Sequence, residues 1–373
     1  RILLRSLAGR EVAVLDAEAS WTKQAVCAKL ADVVGDLRFG ATFLYGATEL
    51  VGEATLGSIG VSDGSELLLV LSFDRRILTA SLDCSARIWS AETGECLLTI
   101  EGHRQALLAA AFSPSGGQVV TATGENTAKL WDAESGEHIR TFEGHESPLP
   151  SAVFSPDGAK VLTASWDHTA KLWSVESGEC IQTFAGHAGL VSSSVFSRDG
   201  SQVLTASYDR TVKIWSAETG RCLHTLETHF VPLSSAALSP DGQLVFTASD
   251  DLAAKLWHVE SGKCIRTFEG HGGPLSSAVF SPNGERVLTA SGDGTAKLWD
   301  ASSGECLQTF EGHAYDVASA VFSPDGTEVL TASYDRTAKL WSAESGECVR
   351  TFEGHRHAVL YATFSPEVRA APC

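Results

Sequence analysis

Tryptophan recurs at a fixed interval of 42 residues, at Trp89, Trp131, Trp173, Trp215, Trp257, Trp299 and Trp341. A histidine keeps the same beat in Gly102-His103, Gly144-His145, Gly186-His187, Gly270-His271, Gly312-His313 and Gly354-His355, with Thr228-His229 as the one deviant. One period held across most of a chain means one supersecondary unit built again and again. Such units cannot bury their apolar faces alone, so neighbours must stack. What the repeats share builds the array, and function is to be sought in what differs between them.

Residues 313–354 serve for the rest. Val317 to Phe322 is apolar and small, as in a buried strand. Ser323-Pro324-Asp325-Gly326 reads as a turn, with proline second and glycine last. Val329 to Ser333 is a second strand, Asp335-Arg336-Thr337 a turn, Ala338 to Trp341 a third strand. Glu344-Ser345-Gly346 turns again into Cys348 to Phe352. The alternation and β-branched content predict short antiparallel strands.

A strand count predicts how the array closes. Second, third and fourth strands occur seven times, starting with Ile77–Ser81, Ala86–Trp89 and Cys96–Ile100. First strands also occur seven times, but the seventh is Ala358–Phe364, at the far end. Pairing it with Ile77–Ser81 makes a ring and removes two open edges. Glu66–Leu71 is the rival for that place.

The chain has 373 residues and a net charge of −18. Phosphate contacts need clustered Lys and Arg, so nucleic acid and anionic membranes are not expected partners. No apolar run reaches the roughly 18 residues of a membrane helix, and no signal peptide is visible. The sequence opens at Arg1 without a methionine, which leaves an upstream targeting segment open. Of nine cysteines, Cys96, Cys180, Cys222, Cys264, Cys306 and Cys348 share one repeat position. Equivalent sites on successive units stand too far apart for a disulfide. Free thiols fit a reducing compartment, so the expected location is cytoplasmic, or nuclear. No C-x-x-C, H-E-x-x-H, acidic calcium loop or phosphate loop occurs, and no metal or cofactor is expected.

Residues 1–72 do not repeat. Ile2–Leu7, a turn at Ala8-Gly9 and Glu11–Leu15 read as a hairpin. Thr22–Val34 has helical spacing, and Thr42–Tyr45 and Leu67–Leu71 read as strands.

Near-identical stretches such as TFEGH, SPDG and LTASYDRTAKLWS make residues 77–364 closely resemble the WD-repeat β-propeller family. Residues 1–72 resemble a ubiquitin-like domain through the Leu7-Ala8-Gly9 turn, the Val26–Leu30 helix, Phe43-Leu44-Tyr45-Gly46, Thr55-Leu56 and Leu67–Leu71. The implied fold is an all-β, seven-bladed propeller preceded by a small α+β ubiquitin-like (β-grasp) domain. Residues 1–72 form the first domain, 77–364 the propeller with its first inner strand supplied by 358–364, and 365–373 a tail.

The resemblance also implies a structural network in each blade, joining a histidine, a second-strand serine, a turn aspartate and the tryptophan. The sets are His145, Ser165, Asp167, Trp173; His187, Ser207, Asp209, Trp215; and His313, Ser333, Asp335, Trp341, with matching sets in other blades. The closing blade would join His355 to Ser81, Asp83 and Trp89. The second blade departs, with His103, Thr123, Glu125 and Trp131, and a glutamate one methylene longer should distort it. The same residue types suggest a catalytic triad, but the constellation recurs in almost every blade and lacks a nucleophile elbow.

The loops joining fourth to first and second to third strands share one face and vary most. In the resembling family they ring the mouth of a central channel and contact peptides. Candidate partner-binding residues there are Trp166, His168, Tyr208, Arg210, Asp250, Tyr315, Asp316, Tyr334 and Arg336, because exposed aromatics beside arginine are what protein-binding hot spots use. The opposite face carries Glu92, Glu134, Glu176, Glu218, Glu260 and Glu344 at one repeat position and reads as a solvated rim. The apolar patch of ubiquitin maps onto Leu7, Phe43, Leu68 and Val70, either free or packed on the propeller. The expected function is a non-enzymatic scaffold for protein or peptide partners, a single ring within a larger complex. An adaptor in ubiquitin-dependent turnover and, further off, an enzyme in the channel are the alternatives.

Overall fold

The structure, a computed structural model, describes residues 2–6, 11–15, 17–22, 25–26, 40–45, 48–49, 54–56, 58–62, 65–72 and 75–366. Two compact units emerge, Arg1–Asp74 and Arg75–Cys373.

In the first unit the sheet order is Glu11–Leu15, Ile2–Ser6, Glu66–Ser72, Gly40–Tyr45, Thr48–Glu49. Ile2–Ser6 runs parallel to Glu66–Ser72, and the other neighbours are antiparallel. Leu15, Val26, Leu56 and Leu67 are buried. Ala25 and Val26 are helical, and the Val26 N–H donates to the Thr22 carbonyl at 3.1 Å. Most of the helix expected over Thr22–Val34 lies outside the described residues. Glu66–Ser72 pairs on both sides within this sheet, so it is not the rival inner strand of the first blade.

The described residues of the second unit form seven four-stranded sheets. In the third blade the strands are Ser151–Phe154, Lys160–Ala164, Thr169–Ser174 and Cys180–Ala185, from the inside outward. The inner strand of each blade lies beside that of the next, and the circuit returns to its start. In the first blade Val359–Phe364 pairs antiparallel with Arg76–Ser81, with Val359 opposite Ser81 and Phe364 opposite Ile77. Pairing continues one residue further, into the stretch read as a tail. The Ser365 N–H donates to the Arg76 carbonyl at 2.7 Å, and the Ser365 hydroxyl accepts the Arg76 N–H at 3.0 Å.

Small side chains line the ring because seven strands converge there. Several inner strands carry a bulge, as between Val191 and Ser193 and between Leu233 and Ser235. The extra residues Ser192 and Ser234 donate to the Ala206 and Ala248 carbonyls, each at 3.1 Å. Other channel serines stitch neighbouring blades: Ser193 Oγ accepts the Ala236 N–H and Ser319 Oγ the Ala362 N–H, both at 3.2 Å.

The apolar core lies between blades. Phe246, Ala254, Leu256 and Phe268 of the fifth blade pack with Leu275, Val287 and Trp299 of the sixth. The glycine that precedes every relay histidine except His229 makes this close packing possible. Gly144 sits at φ 138°, and a Cβ there would stand 3.3 Å from the tip of the Trp173 ring. At the rim, Arg140 donates to the Ser177 and Glu176 carbonyls of the next blade, both at 2.8 Å, and Arg350 closes the circuit on the Thr93 carbonyl at 2.9 Å. The glutamate-bearing turns are thus acceptors between blades as well as a solvated rim.

Candidate functional site at the channel mouth

The mouth is built on a buried polar relay repeated around the ring. In the third blade the Trp173 indole N–H donates to Thr163 Oγ1 at 2.8 Å. Thr163 in turn meets His145 Nε2 at 2.8 Å, and His145 Nδ1 meets Asp167 Oδ2 at 2.6 Å. A neutral imidazole protonated on Nδ1 satisfies every step: indole to hydroxyl, hydroxyl to Nε2, Nδ1–H to carboxylate. Asp167 also accepts the Thr169 hydroxyl at 2.6 Å and the Glu146 N–H at 3.1 Å. One carboxylate therefore fixes the loop after the histidine to the turn between second and third strands.

The hydroxyl in the relay is Thr163, and this corrects the expectation of Ser165. Trp173 lies opposite Val161 in register, so the same-face diagonal neighbour within reach is Thr163. Ser165 stands two residues further along, where its hydroxyl accepts the Asp167 N–H at 3.1 Å and donates to the Ser147 carbonyl at 2.9 Å. Ser207 and Ser333 take the same place: each accepts the N–H of its turn aspartate, Asp209 or Asp335, and the relay runs through Thr205 and Thr331 instead. Internal comparison held the signal, since this threonine occurs in all seven repeats while the serine becomes Thr123 in the second.

Burial lowers the pKa of His145, His187, His229, His271 and His355, and the facing aspartates offset this only in part. Burial pushes the aspartates the other way, but hydrogen bonds outweigh it. Asp209 is brought down to about 2 by Thr211 and His187.

The second blade lacks part of this arrangement. Glu125 turns to the backbone and accepts the N–H groups of Arg104 and, at 3.1 Å, Gln105. Both His103 Nδ1 and Thr127 Oγ1 are buried without a partner. Burial, aided by Lys129, takes His103 down to about 4.

The turn aspartates pin the variable residues. In most blades the residue before the aspartate has its N–H held by the preceding loop: Trp166 by Pro148, Tyr208 by Leu190 and Tyr334 by Asp316, at 3.0, 2.8 and 3.0 Å. The residue after it lies in the left-handed region in every blade, at Cys84, Asn126, His168, Arg210, Leu252, Gly294 and Arg336. A turn closed by such a residue suits a three-residue hairpin connection. Glycine occupies this conformation freely, whereas an L-residue there costs about 1 kcal/mol or more.

Trp166, Tyr208 and Tyr334 reach the lining of a central cavity of about 390 Å³, whose walls are inner-strand serines and alanines together with Leu108, Leu360 and Tyr361. His168, Arg210, Asp250, Tyr315, Asp316 and Arg336 are absent from that lining and belong to the surrounding loops. Of the N-terminal candidates, Leu7 lies outside the described residues, Phe43 is in Gly40–Tyr45, and Leu68 and Val70 are in Glu66–Ser72.

Two further residues on this face were missed as candidates. Phe230 is 88% exposed and Leu252 42%. The signal was the deviant Thr228-His229. The matching glycines adopt φ between 120° and 147°, whereas Thr228 does not adopt a positive φ. Its N–H and hydroxyl bond the Arg210 carbonyl at 3.1 and 2.9 Å, and the loop that follows carries Phe230 outward.

Among the described residues, no group of three or more His, Cys, Asp or Glu is placed to hold a metal ion. No described helix is long and apolar enough to cross a membrane. The described cysteines, including all six at the shared repeat position, are free. The family model described as WD domain, G-beta repeat, matches residues 94–132, 136–174, 178–216, 220–258, 262–300 and 304–342. Each match runs from the turn before an outer strand through the third strand of the next blade. The one repeat left unmatched is the one split between the two ends of the ring. No curated protein matches the chain.

Proposed function

Because the chain belongs to the WD-repeat family, whose propellers are common protein-interaction scaffolds, we propose that it is a non-enzymatic scaffold whose channel-mouth face binds a segment of a partner protein. One observation carries this reading. Among the described residues, the exposed large hydrophobics fall into two sets. Leu97, Ile139, Ile181, Leu223, Ile265, Leu307 and Val349 share one repeat position on the outer strands, each at the bulge beside the tryptophan. A bulge there blunts an open edge, so this set has a structural reason. The rest, Trp166, Tyr208, Phe230, Leu252, Tyr315 and Tyr334, are side chains that most other blades do not repeat at the matching positions, and all lie on the mouth face. Aromatic side chains held out on a rigid frame are what an interface core uses. The buried His–Asp pairs are spent inside the fold, which favours a scaffold over an enzyme.

In this reading the N-terminal unit is ubiquitin-like and offers a second surface through Leu7, Phe43, Leu68 and Val70. The parallel pairing of its first and last strands at the middle of a mixed sheet supports it. A role as adaptor in ubiquitin-dependent turnover would follow from that unit. The free, exposed cysteines fit the cytosol or nucleus.

The test is recovery of partners by proximity labelling with the intact chain, followed by affinity measurements on Trp166→Ala and Tyr208→Ala. Loss of an aromatic anchor should weaken binding about 30-fold at an unchanged melting temperature. A recovered partner that binds both variants as tightly as the parent would rule the face out.

A further inference from the structure

Blade five keeps its relay but departs from its neighbours at the surface, and its departures meet at one spot on the mouth face. Thr228 replaces a glycine and hydrogen-bonds the Arg210 carbonyl of blade four. His229 Nδ1 meets Asp251 Oδ2 at 2.8 Å, in the turn that ends at Leu252. Phe230 follows directly, so its loop is tied on one side to the turn of Arg210 and on the other to the turn of Leu252.

Two of these residues are held at a cost the fold does not need. Leu252 adopts φ 66° and Arg210 φ 71°, where Gly294 serves the same turn in blade six without strain. Leu252 is exposed, and Arg210 makes no ion pair among the described residues. A branched apolar side chain kept in a left-handed conformation and 42% exposed leaves much of its apolar surface unburied. The same is true of a phenylalanine that is 88% exposed. The left-handed turn recurs in the other blades, so what singles out this spot is its pair of exposed apolar side chains, which points outward, to a ligand.

Resting on the reading that this face binds a protein segment, we propose that Phe230, Leu252 and Arg210 form its anchoring site. The occupant is an extended segment that carries a bulky apolar side chain with a carboxylate close by. The apolar side chain packs on Phe230 and Leu252, and the carboxylate meets the unpaired Arg210 guanidinium. Charge complementarity selects this occupant. The protein carries a net charge of −18 and its opposite face repeats glutamates from blade to blade; the mouth face also carries Glu146, Asp250 and Asp316, but it sets out Arg104, Arg210, Arg336 and Arg356, none in an ion pair among the described residues. A carboxylate is therefore repelled by most of the surface and admitted beside the unpaired Arg210. Asp250 precedes Asp251 in the Leu252 turn, so the carboxylate must approach from the Arg210 side. In blade six Gly272, Gly273, Gly292 and Gly294 leave the mouth face with little side-chain bulk, which gives an extended chain room to run on beside the anchor.

The experiment selects random dodecapeptides displayed on phage against the full chain. Synthetic, fluorescein-labelled copies of the enriched peptides are then measured against Phe230→Ser, Leu252→Gly, Arg210→Gly and, for comparison, Trp166→Ala. Enriched peptides should carry Asp or Glu within a few residues of a bulky apolar one. Phe230→Ser should weaken them about 30-fold. Leu252→Gly should weaken them at least about 10-fold while leaving the melting temperature unchanged or higher, since glycine relieves the strained φ. A purely structural role for Leu252 would move the melting temperature and not the affinity. Replacing the peptide's acid by its amide should match the loss seen in Arg210→Gly. Peptides lost on Trp166→Ala but indifferent to Phe230→Ser and Leu252→Gly would overturn this anchor and leave the face reading standing. No enrichment, or enriched peptides indifferent to all four substitutions, would overturn both.

Discussion

The first and second blades invert what chain continuity suggests. The first is assembled from the two ends of the propeller sequence, yet its relay is complete. Trp89 donates to Thr79 Oγ1 at 2.8 Å, Thr79 meets His355 Nε2 at 2.8 Å, and His355 Nδ1 meets Asp83 at 2.8 Å. Ser85 donates to the same carboxylate at 2.6 Å. The second blade is continuous, yet its histidine and threonine are left without partners on Nδ1 and Oγ1. The difference is one methylene, Glu125 where other blades have aspartate. Quality of the buried network therefore follows the length of a single side chain, and not how the strands are joined.

The largest effect should come from breaking the junction that makes the first blade. Truncation after Gly354 removes His355 and the strand Val359–Phe364, and leaves Arg76–Ser81 as an open edge. Val359, Ala362 and Phe364 are buried, so the lost burial alone is on the order of 5 kcal/mol, before the relay is counted. The full chain and the truncated chain would be compared by thermal and urea unfolding. A truncated chain melting within a degree or two of the parent would show that the first blade stands without its borrowed strand.

How much of this was legible in the sequence follows from which interactions repeat. The 42-residue period locates the blades, and the strand count points to the pairing of Val359–Phe364 with Arg76–Ser81. Both depend on local pattern, which each repeat states afresh. The relay threonine was missed because Ser165 and Thr163 sit on the same strand face, and only the cross-strand register decides which one the indole reaches. Phe230 was missed because its exposure depends on a backbone path. Gly144 and its counterparts turn through a positive φ, and Thr228 does not. The left-handed state of Arg210 and Leu252 was equally hidden, since glycine, which would betray it, stands at that position only in blade six.

Acid should erode both blades, and the sign is informative. Burial holds His103, His145, His187, His229, His271 and His355 below the ordinary imidazole value of 6.5. The unfolded chain then binds more protons below that value, so stability is complete above about pH 6.5 and is lost as pH falls. His103, brought down to about 4, stays neutral between pH 7.5 and 6, and by this route its contribution falls by about 0.8 kcal/mol over that range. The depressed aspartates add a second loss, because they favour the fold only above their unfolded value near 4. Melting temperature should therefore fall steadily from pH 7.5 to 5. A rise on acidification would mean that the histidines are charged partners of the aspartates. His103, with no carboxylate on Nδ1, should be followed by its imidazole proton resonances and should protonate near pH 4.

The smallest effects should come from exchanging the one methylene. Asp83→Glu should impose the state of the second blade on the first. The longer side chain bypasses His355 and Ser85, and two buried groups lose their partner, a cost of about 2–3 kcal/mol. Glu125→Asp runs the other way. The shorter carboxylate can accept His103 Nδ1–H and the Thr127 hydroxyl, as Asp167 does with His145 and Thr169. The gain should be smaller, about 1 kcal/mol, because Glu125 already accepts two backbone N–H groups and lies 3.5 Å from Lys129 Nζ. Thermal unfolding of both variants at pH 7.5 reads the signs directly, and imidazole resonances report whether His103 has acquired a partner. If Glu125→Asp destabilises the protein while His103 remains unpaired, the second blade is organised around its glutamate, and the two blades differ by more than one methylene.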